Sequence, residues 1–346
     1  MDPSETVPAR IDGPQAVELA GRLYGLHVEA SALPGFRDEN FLLRTGAGEQ
    51  LVLKVSPVGE DAILLEAQAQ VLDHLESAGI PAPRVRRDLD GDAVTCWIDT
   101  LGRRRSVRML TWLPGRMLVD ATPRSPALLE DLGRFLGRMD RVLADCTQAA
   151  LRWKNEWDML RAAEVRNRLD ALQDPSRRAL AEARLTRFEE RILPELRNLR
   201  RSVIHGDAND YNILVDDAGA RVTGIIDFGD LLTTALVNEL GIAMAYVMLG
   251  ESDPLAAASS LLAGYQSEFP LEEREVRLLP ELAVTRLVVS VTCSAYERAK
   301  HPENTYLSVT EAPGWELLER LEGVDLQAAA AMLLDTRRET NTHGCP

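Results

Sequence analysis

Apolar positions set the first expectations. In Pro14–His27, the residues Val17, Leu19, Ala20, Leu23 and Leu26 recur at the spacing of one face of an amphipathic helix. Beyond it the period shortens. Asn40–Thr45 and Gln50–Val55 flank a Gly46-Ala47-Gly48 turn and predict a β-hairpin. In its second strand Leu51, Leu53 and Val55 share one face, which puts Lys54 on the other. Residues 60–78 read as a helix stopped by Gly79, with Pro81 just beyond. Val94–Ile98 and Val107–Leu110 are further strand candidates, and the Arg103-Arg104-Arg105 run between them is expected at a solvated hairpin tip. After Pro114-Gly115 the period lengthens: Leu128, Leu129, Leu132, Phe135, Leu136, Met139 and Leu143 fall at helical spacing. Residues 124–200 are helical in pattern almost throughout, a β-like island spans 203–227, and 236–334 is helical again. The pattern predicts an α+β chain. A small β-rich N-terminal lobe covers 1–110, a connector lies at 109–115, and a larger, mainly helical lobe covers 116–346.

Length agrees, since 346 residues at about 150 per domain make two domains. Charge narrows the partners. Asp and Glu number 54 against 39 Lys and Arg, for a net charge of -15. That disfavours a nucleic-acid surface, which needs a basic face. It suits small cationic molecules, or anions neutralised by a metal. Cys96, Cys146, Cys293 and Cys345 form no CxxC pair and no disulfide framework, so a reducing compartment is expected. Met1–Arg10 has neither the basic start nor the apolar core of a signal peptide, and no apolar run reaches membrane length. The expectation is a cytoplasmic protein without a membrane partner.

The candidate chemistry is concentrated in two runs. Val203–Ile204 leads into His205-Gly206-Asp207, and the polar loop that follows reaches Asn212 before another apolar strand, Ile213–Val215. Gly224-Ile225-Ile226 then leads into Asp227-Phe228-Gly229-Asp230. Asp207, Asn212 and Asp227 thus sit on loops at strand ends, where catalytic groups commonly lie. Phosphoryl transfer needs this set. One Asp orients and deprotonates the acceptor hydroxyl, an Asn and a second Asp hold Mg²⁺ on the nucleotide phosphates, and a Lys oriented by a Glu neutralises their oxygens. The H-G-D-x-x-x-x-N and D-F-G text keeps kinase spacing, with Gly206 where protein kinases carry Arg. His205 is expected to brace the loop. Lys54, a charge in an otherwise apolar strand, is the nucleotide lysine, with Glu66 on the next helix as its partner. Arg37 and Asn40 belong to the segment placed to cover the phosphates, and Leu110, Thr111 and Leu113 to the segment placed to read the purine. Asn209, Asp210, Tyr211 and Asp230 flank Asp207 as acceptor contacts, and Arg116 and Arg286 are candidates for a substrate carboxylate.

This text resembles the aminoglycoside phosphotransferase and choline kinase superfamily. Within it the chain is similar to the hydroxylysine kinase group and to kinase domains fused to bacterial aminotransferases. The matching segments are Arg37–Phe41, Leu65–Gln68, Val107–Gly115, Val203–Val215, Gly224–Asp230 and Pro302–Leu307. The resemblance implies a bilobal protein-kinase-like fold, Mg²⁺, and GTP or ATP as donor, with GTP typical of hydroxylysine kinase. It implies transfer to the hydroxyl of a small cationic amine or amino acid, 5-hydroxylysine first. Aminoglycoside, ethanolamine and homoserine kinases of the same fold, or a pseudokinase that binds nucleotide without turnover, are the alternatives.

Overall fold

The computed structural model describes residues 11–35, 37–300 and 311–343. Pro302–Leu307 lies outside the described residues. The chain divides into two compact units, one of residues 1–77 and 82–113, the other of 78–81 and 114–346.

The first unit begins with helix α1 (Gly13–Tyr24), started by an Asp12 capping box and ended by Gly25 in the left-handed conformation. Strands β1 (Val28–Leu33), β2 (Glu39–Thr45) and β3 (Gln50–Val55) follow, then helix α2 (Ala62–Ser77) and strands β4 (Val85–Arg86), β5 (Thr95–Ile98) and β6 (Arg104–Thr111). They form one antiparallel sheet in the order β1-β2-β3-β6-β4, with β5 paired to β6. Its core combines Ala16, Leu19 and Ala20 of α1 with Leu43, Leu51, Leu53, Val107 and Met109 of the strands. The expected alternation in β3 is present: Leu51, Leu53 and Val55 are fully buried and Lys54 is not. The triple-arginine run departs from expectation. Arg104 and Arg105 belong to β6 itself, and Arg105 is buried. Its Nη2 donates to Glu39 Oε1 (2.9 Å) and its Nε to the Ser56 carbonyl (2.8 Å). A buried guanidinium is tolerable only with such partners.

In the second unit β7 (Arg116–Met117) precedes α3 (Pro126–Leu143), α4 (Pro175–Arg187) and α5 (Leu193–Leu196). Strands β8 (Arg201–Ile204), β9 (Ile213–Val215), β10 (Val222–Ile225) and β11 (Leu232–Ala235) come next. Helices α6 (Val237–Val247), α7 (Pro254–Glu268), α8 (Glu273–Val276), α9 (Leu279–Lys300), α10 (Glu311–Arg320) and α11 (Leu326–His343) complete it. β11 pairs antiparallel with β8, and β10 with β9, which β7 joins on its other edge. β11 lies just beyond the β-like island expected at 203–227. Between α3 and α4 the expected α-helix is instead a 3₁₀ stretch over Met159–Ala171. Met159, Ala162 and Val165 are buried three apart, the 3₁₀ period, with Leu169 four further on. Gly133 of α3 and Gly264 of α7 let those helices touch backbone to backbone. A methyl group on either would strike the other helix's main chain, Leu261 in one case and Glu130 in the other.

Candidate active site

In the second unit β8 ends at Ile204 and delivers His205-Gly206-Asp207. Gly206 has φ +82°, and a Cβ there would meet the Asp230 carbonyl at 2.8 Å. A side chain cannot satisfy both demands, which explains the glycine. The Gly206 amide donates to Glu239 Oε2 (3.1 Å) of α6. Glu239 is fully buried, and desolvation pushes its carboxyl up to about 7. His205 is also fully buried. Its Nδ1 accepts from the Asp207 amide (3.2 Å), which assigns the proton to Nε2 for donation to the Ile226 carbonyl (3.0 Å). Burial lowers the imidazole to about 4 and keeps it neutral. The histidine therefore braces the loop, with Phe228 edge-on at 4.7 Å.

Asp207 is held on both oxygens. Asn209 Nδ2 (2.9 Å) and Asn212 Nδ2 (2.8 Å) donate to Oδ2, and Arg286 Nη2 of α9 donates to Oδ1 (2.7 Å). Asn209 also closes the loop, its Oδ1 accepting from the Tyr211 and Asn212 amides. Desolvation pushes the Asp207 carboxyl up to about 7, with Arg286 pulling against it and Asp230 and Asp227 adding to it. The strand before Asp227 is tied to the same loop, because the Ile226 amide donates to the Asn212 carbonyl (2.8 Å). Asp227 has φ +63°, the left-handed region that non-glycine residues rarely adopt. Such strain is kept where a carboxylate must point one way.

This donor set fits a hard divalent cation. The nitrogen of the Asn212 amide is committed to Asp207, which fixes the amide's orientation, and its oxygen and the Asp227 carboxylate are the hard ligands available. Among the described residues no three His, Cys, Asp or Glu side chains gather as an all-protein metal cage.

Asp210, expected beside the acceptor, is placed elsewhere. It is buried, and its Oδ2 is paired with Arg124 Nη2 at 2.9 Å. Arg124 also donates to the carbonyls of Tyr246, Val247 and Leu249 at the end of α6. Asp210 thus anchors the loop through Arg124, and its side chain is directed into the interior. Asp230 remains beside Asp207, and its Oδ1 accepts from Asn155 Nδ2 (3.0 Å). Tyr211 is half-buried. Asn155 and Trp157 belong to a turn that the sequence reading passed over. The signal was its polar-aromatic text, Trp153-Lys154-Asn155-Glu156-Trp157-Asp158, where helical periodicity fails. Arg286 lies over the rings of Trp157 (5.0 Å) and Tyr246 (5.6 Å).

In the first unit Asn40, Lys54 and Arg108 stand side by side across β2, β3 and β6. The carboxylate that meets Lys54 is Asp38, 3.5 Å from Nζ, and not Glu66 as expected. Asp38 also accepts from Arg108 Nη2 (2.8 Å), whose Nη1 donates to Gln68 of α2 (2.9 Å). Glu66 forms no ion pair among the described residues. The register is the reason: Lys54 and Arg108 are cross-strand neighbours and share the nearest acid. Arg37 is exposed, and Asn40 Nδ2 donates to the Pro34 carbonyl (3.3 Å). The segment expected to read a purine is partly spent on the sheet. The Thr111 amide donates to the Arg84 carbonyl and its hydroxyl accepts from the Arg84 amide, while the Trp112 amide donates to Gln50. Leu110 lies between Val52 and Val85.

The phosphotransferase enzyme family model matches residues 29–279. The chain is 30% identical to hydroxylysine kinase of Xenopus laevis, over 93% of this chain and 92% of that protein. It is 31% identical to a homoserine kinase of Hyphomonas neptunium, over 77% of this chain and 82% of that protein. Among solved structures, an amicoumacin kinase in complex with AMP-PNP and Ca²⁺ matches with a TM-score of 0.70 at 17% identity, over 92% of this chain and 98% of that one.

Proposed function

The chain belongs to the phosphotransferase enzyme family, and from that premise we propose that it transfers the γ-phosphoryl of GTP or ATP to the hydroxyl of 5-hydroxylysine. The observation that carries the reading is the Asp207 carboxylate, fixed on both oxygens at the end of β8 and close to Asp227. The near full-length similarity to hydroxylysine kinase supports the acceptor.

Asp207 receives the acceptor hydroxyl, orients its oxygen toward the γ-phosphorus, and takes the proton as the new P–O bond forms. The bond from the γ-phosphorus to the nucleoside diphosphate breaks. With a loose transition state, positioning and charge neutralisation supply most of the acceleration. Mg²⁺ held by Asn212 and Asp227 would neutralise the phosphate oxygens. Lys54, oriented by Asp38, is the nucleotide lysine, with Asn40 as its cross-strand neighbour and Arg37 in the segment that covers the phosphates. Leu113 retains the role of purine contact, since Thr111 and Trp112 have committed their amides. Asp230, next to Asp207, is the carboxylate for the acceptor's ammonium, with Asn209 and Tyr211 along the rim. The four-residue anchor and brace set of His205, Glu239, Arg124 and Asp210 holds the loop in place.

Among the described residues no helix is long and apolar enough to cross a membrane. Cys96, Cys146 and Cys293 are free thiols, which supports a reducing, cytoplasmic setting. Homoserine is the second acceptor, favoured by the homoserine kinase relative. The test is a transfer assay with hydroxylysine, homoserine, ethanolamine and an aminoglycoside, each with GTP and ATP and with or without Mg²⁺. Far higher kcat/KM for ethanolamine or the aminoglycoside refutes the acceptor assignment, and transfer without a divalent cation refutes the metal assignment.

A further inference from the structure

The acid-rich surroundings of Asp207 contain a buried cation only part of which is engaged in holding that carboxylate. Arg286 is 2% exposed. Its Nη2 is bonded to Asp207 Oδ1, its Nε lies 3.3 Å from the Tyr246 hydroxyl, and its Nη1 is buried with no hydrogen-bond partner among the described residues. Leaving a charged donor unpaired in the interior is costly, and proteins seldom do so without a reason. The ionisable groups that act on Arg286 and Asp207 are Tyr246, Asp227, Asp230 and Glu239. An acceptor's ammonium therefore has carboxylates to meet. An acceptor's anionic group has this guanidinium edge to meet beside the same acids.

We infer that Arg286 Nη1 is the subsite for the carboxylate of the acceptor, so that the protein selects hydroxylated amino acids over the corresponding amino alcohols. The inference rests on the proposed transfer to an amine-bearing hydroxyl compound and adds its anionic half. Arg286 is suited to the task. A guanidinium matches a carboxylate's geometry in its plane, and the rings of Trp157 and Tyr246 hold that plane. The same side chain contacts Asp207, so a bound carboxylate brings the acceptor chain to the residue that receives its hydroxyl. Nη1 is closed to solvent here, and the ring stacked on the guanidinium belongs to the half-buried Trp157, on a turn. An aminoglycoside, which is a polycation, gains nothing from an arginine at this place.

The test compares matched acceptor pairs that differ only in the carboxylate: hydroxylysine with the hydroxydiamine left by its decarboxylation, and homoserine with aminopropanol. Wild type, Arg286→Gln and Arg286→Lys are assayed with saturating nucleotide. Since Arg286 also touches Asp207, kcat falls for both members of a pair, and the ratio of their kcat/KM values cancels that common loss. The wild type should favour the acid by about 30- to 3000-fold, the value of a buried charge-paired contact. Arg286→Gln should bring the ratio to near one, chiefly by raising KM for the acid, and Arg286→Lys should restore part of it. Nucleotide binding by each variant, read by calorimetry, establishes that it is folded. An unchanged ratio in a folded Arg286→Gln variant overturns the inference and reduces Arg286 to a positioning residue for Asp207. Wild-type turnover of the amines as well as the acids overturns the inference while the kinase reading stands. Transfer to neither member of either pair overturns both.

Discussion

Asp210→Asn separates a loop anchor from a substrate contact. The substitution keeps the shape of the side chain and removes its charge. Arg124 is then a buried cation without its counterion, since both side chains of the pair are 3% exposed. Breaking a buried pair on one side costs about 3–5 kcal/mol. The three carbonyls at the end of α6 still accept from Arg124, so the lower end, about 3 kcal/mol, applies. For a unit of about 230 residues the unfolding entropy is about 0.5 kcal/mol/K, which converts that loss to a fall in Tm of about 6 °C. The assay is thermal unfolding by circular dichroism, with acceptor KM measured well below the transition. Salt should not erase the effect, because buried pairs are little screened. KM for the acceptor should stay within about twofold. A Tm within 1 °C of wild type together with an acceptor KM raised at least tenfold would show that Asp210 meets the substrate, and the anchor argument would fail.

Glu239→Gln tests the buried acid under the catalytic loop. The folded-state carboxyl sits at about 7 against an ordinary 4.5. The folded protein therefore holds an extra proton between those values, and its stability falls as pH rises through that window by up to about 3 kcal/mol. Urea unfolding at about pH 5 and about pH 7.5 should show that fall shrink in the variant, and an unaltered slope would remove Glu239 as its source. Asp38→Asn should lower kcat by about 3- to 30-fold through loss of its charge-assisted contact with Lys54, while Glu66→Gln stays within about twofold; the reverse order in steady-state kinetics would return the orienting role to Glu66. Asp207→Asn should lower kcat by about 10²–10⁴-fold with nucleotide affinity unchanged by calorimetry, and full activity would exclude Asp207 as the group that receives the hydroxyl proton.

The sequence was most readable where period and text agree. The β2–β3 hairpin, the face of Lys54 and the loops carrying Asp207, Asn212 and Asp227 follow from local pattern, because each is decided by residues close in the chain. Pairings between distant segments were not readable. Nothing adjacent to Lys54 marks Asp38 as its carboxylate, and Asp210 reads as a loop acid until Arg124 arrives from 86 residues away. Arg286 is legible as a candidate for a substrate carboxylate, but its contact with Asp207, 79 residues away in sequence, is not. The 3₁₀ stretch at Met159–Ala171 was missed because its buried positions are few, and a three-residue period over so short a span resembles a helix face.

The contact between α3 and α7 at Gly133 and Gly264 has a consequence for how the second unit responds to compression. Most helix pairs meet through side chains, whose rotamer changes leave small voids that hydrostatic pressure can eliminate by unfolding. At these two glycines main chain meets main chain, which leaves little void to squeeze out and no rotamer to rearrange at that point. Pressure acts on a protein through the empty volume lost on unfolding, and the backbone contact at these glycines offers little. Volume change should therefore be concentrated away from it, and α3 and α7 should keep their mutual spacing at pressures that loosen side-chain-mediated contacts elsewhere in the unit.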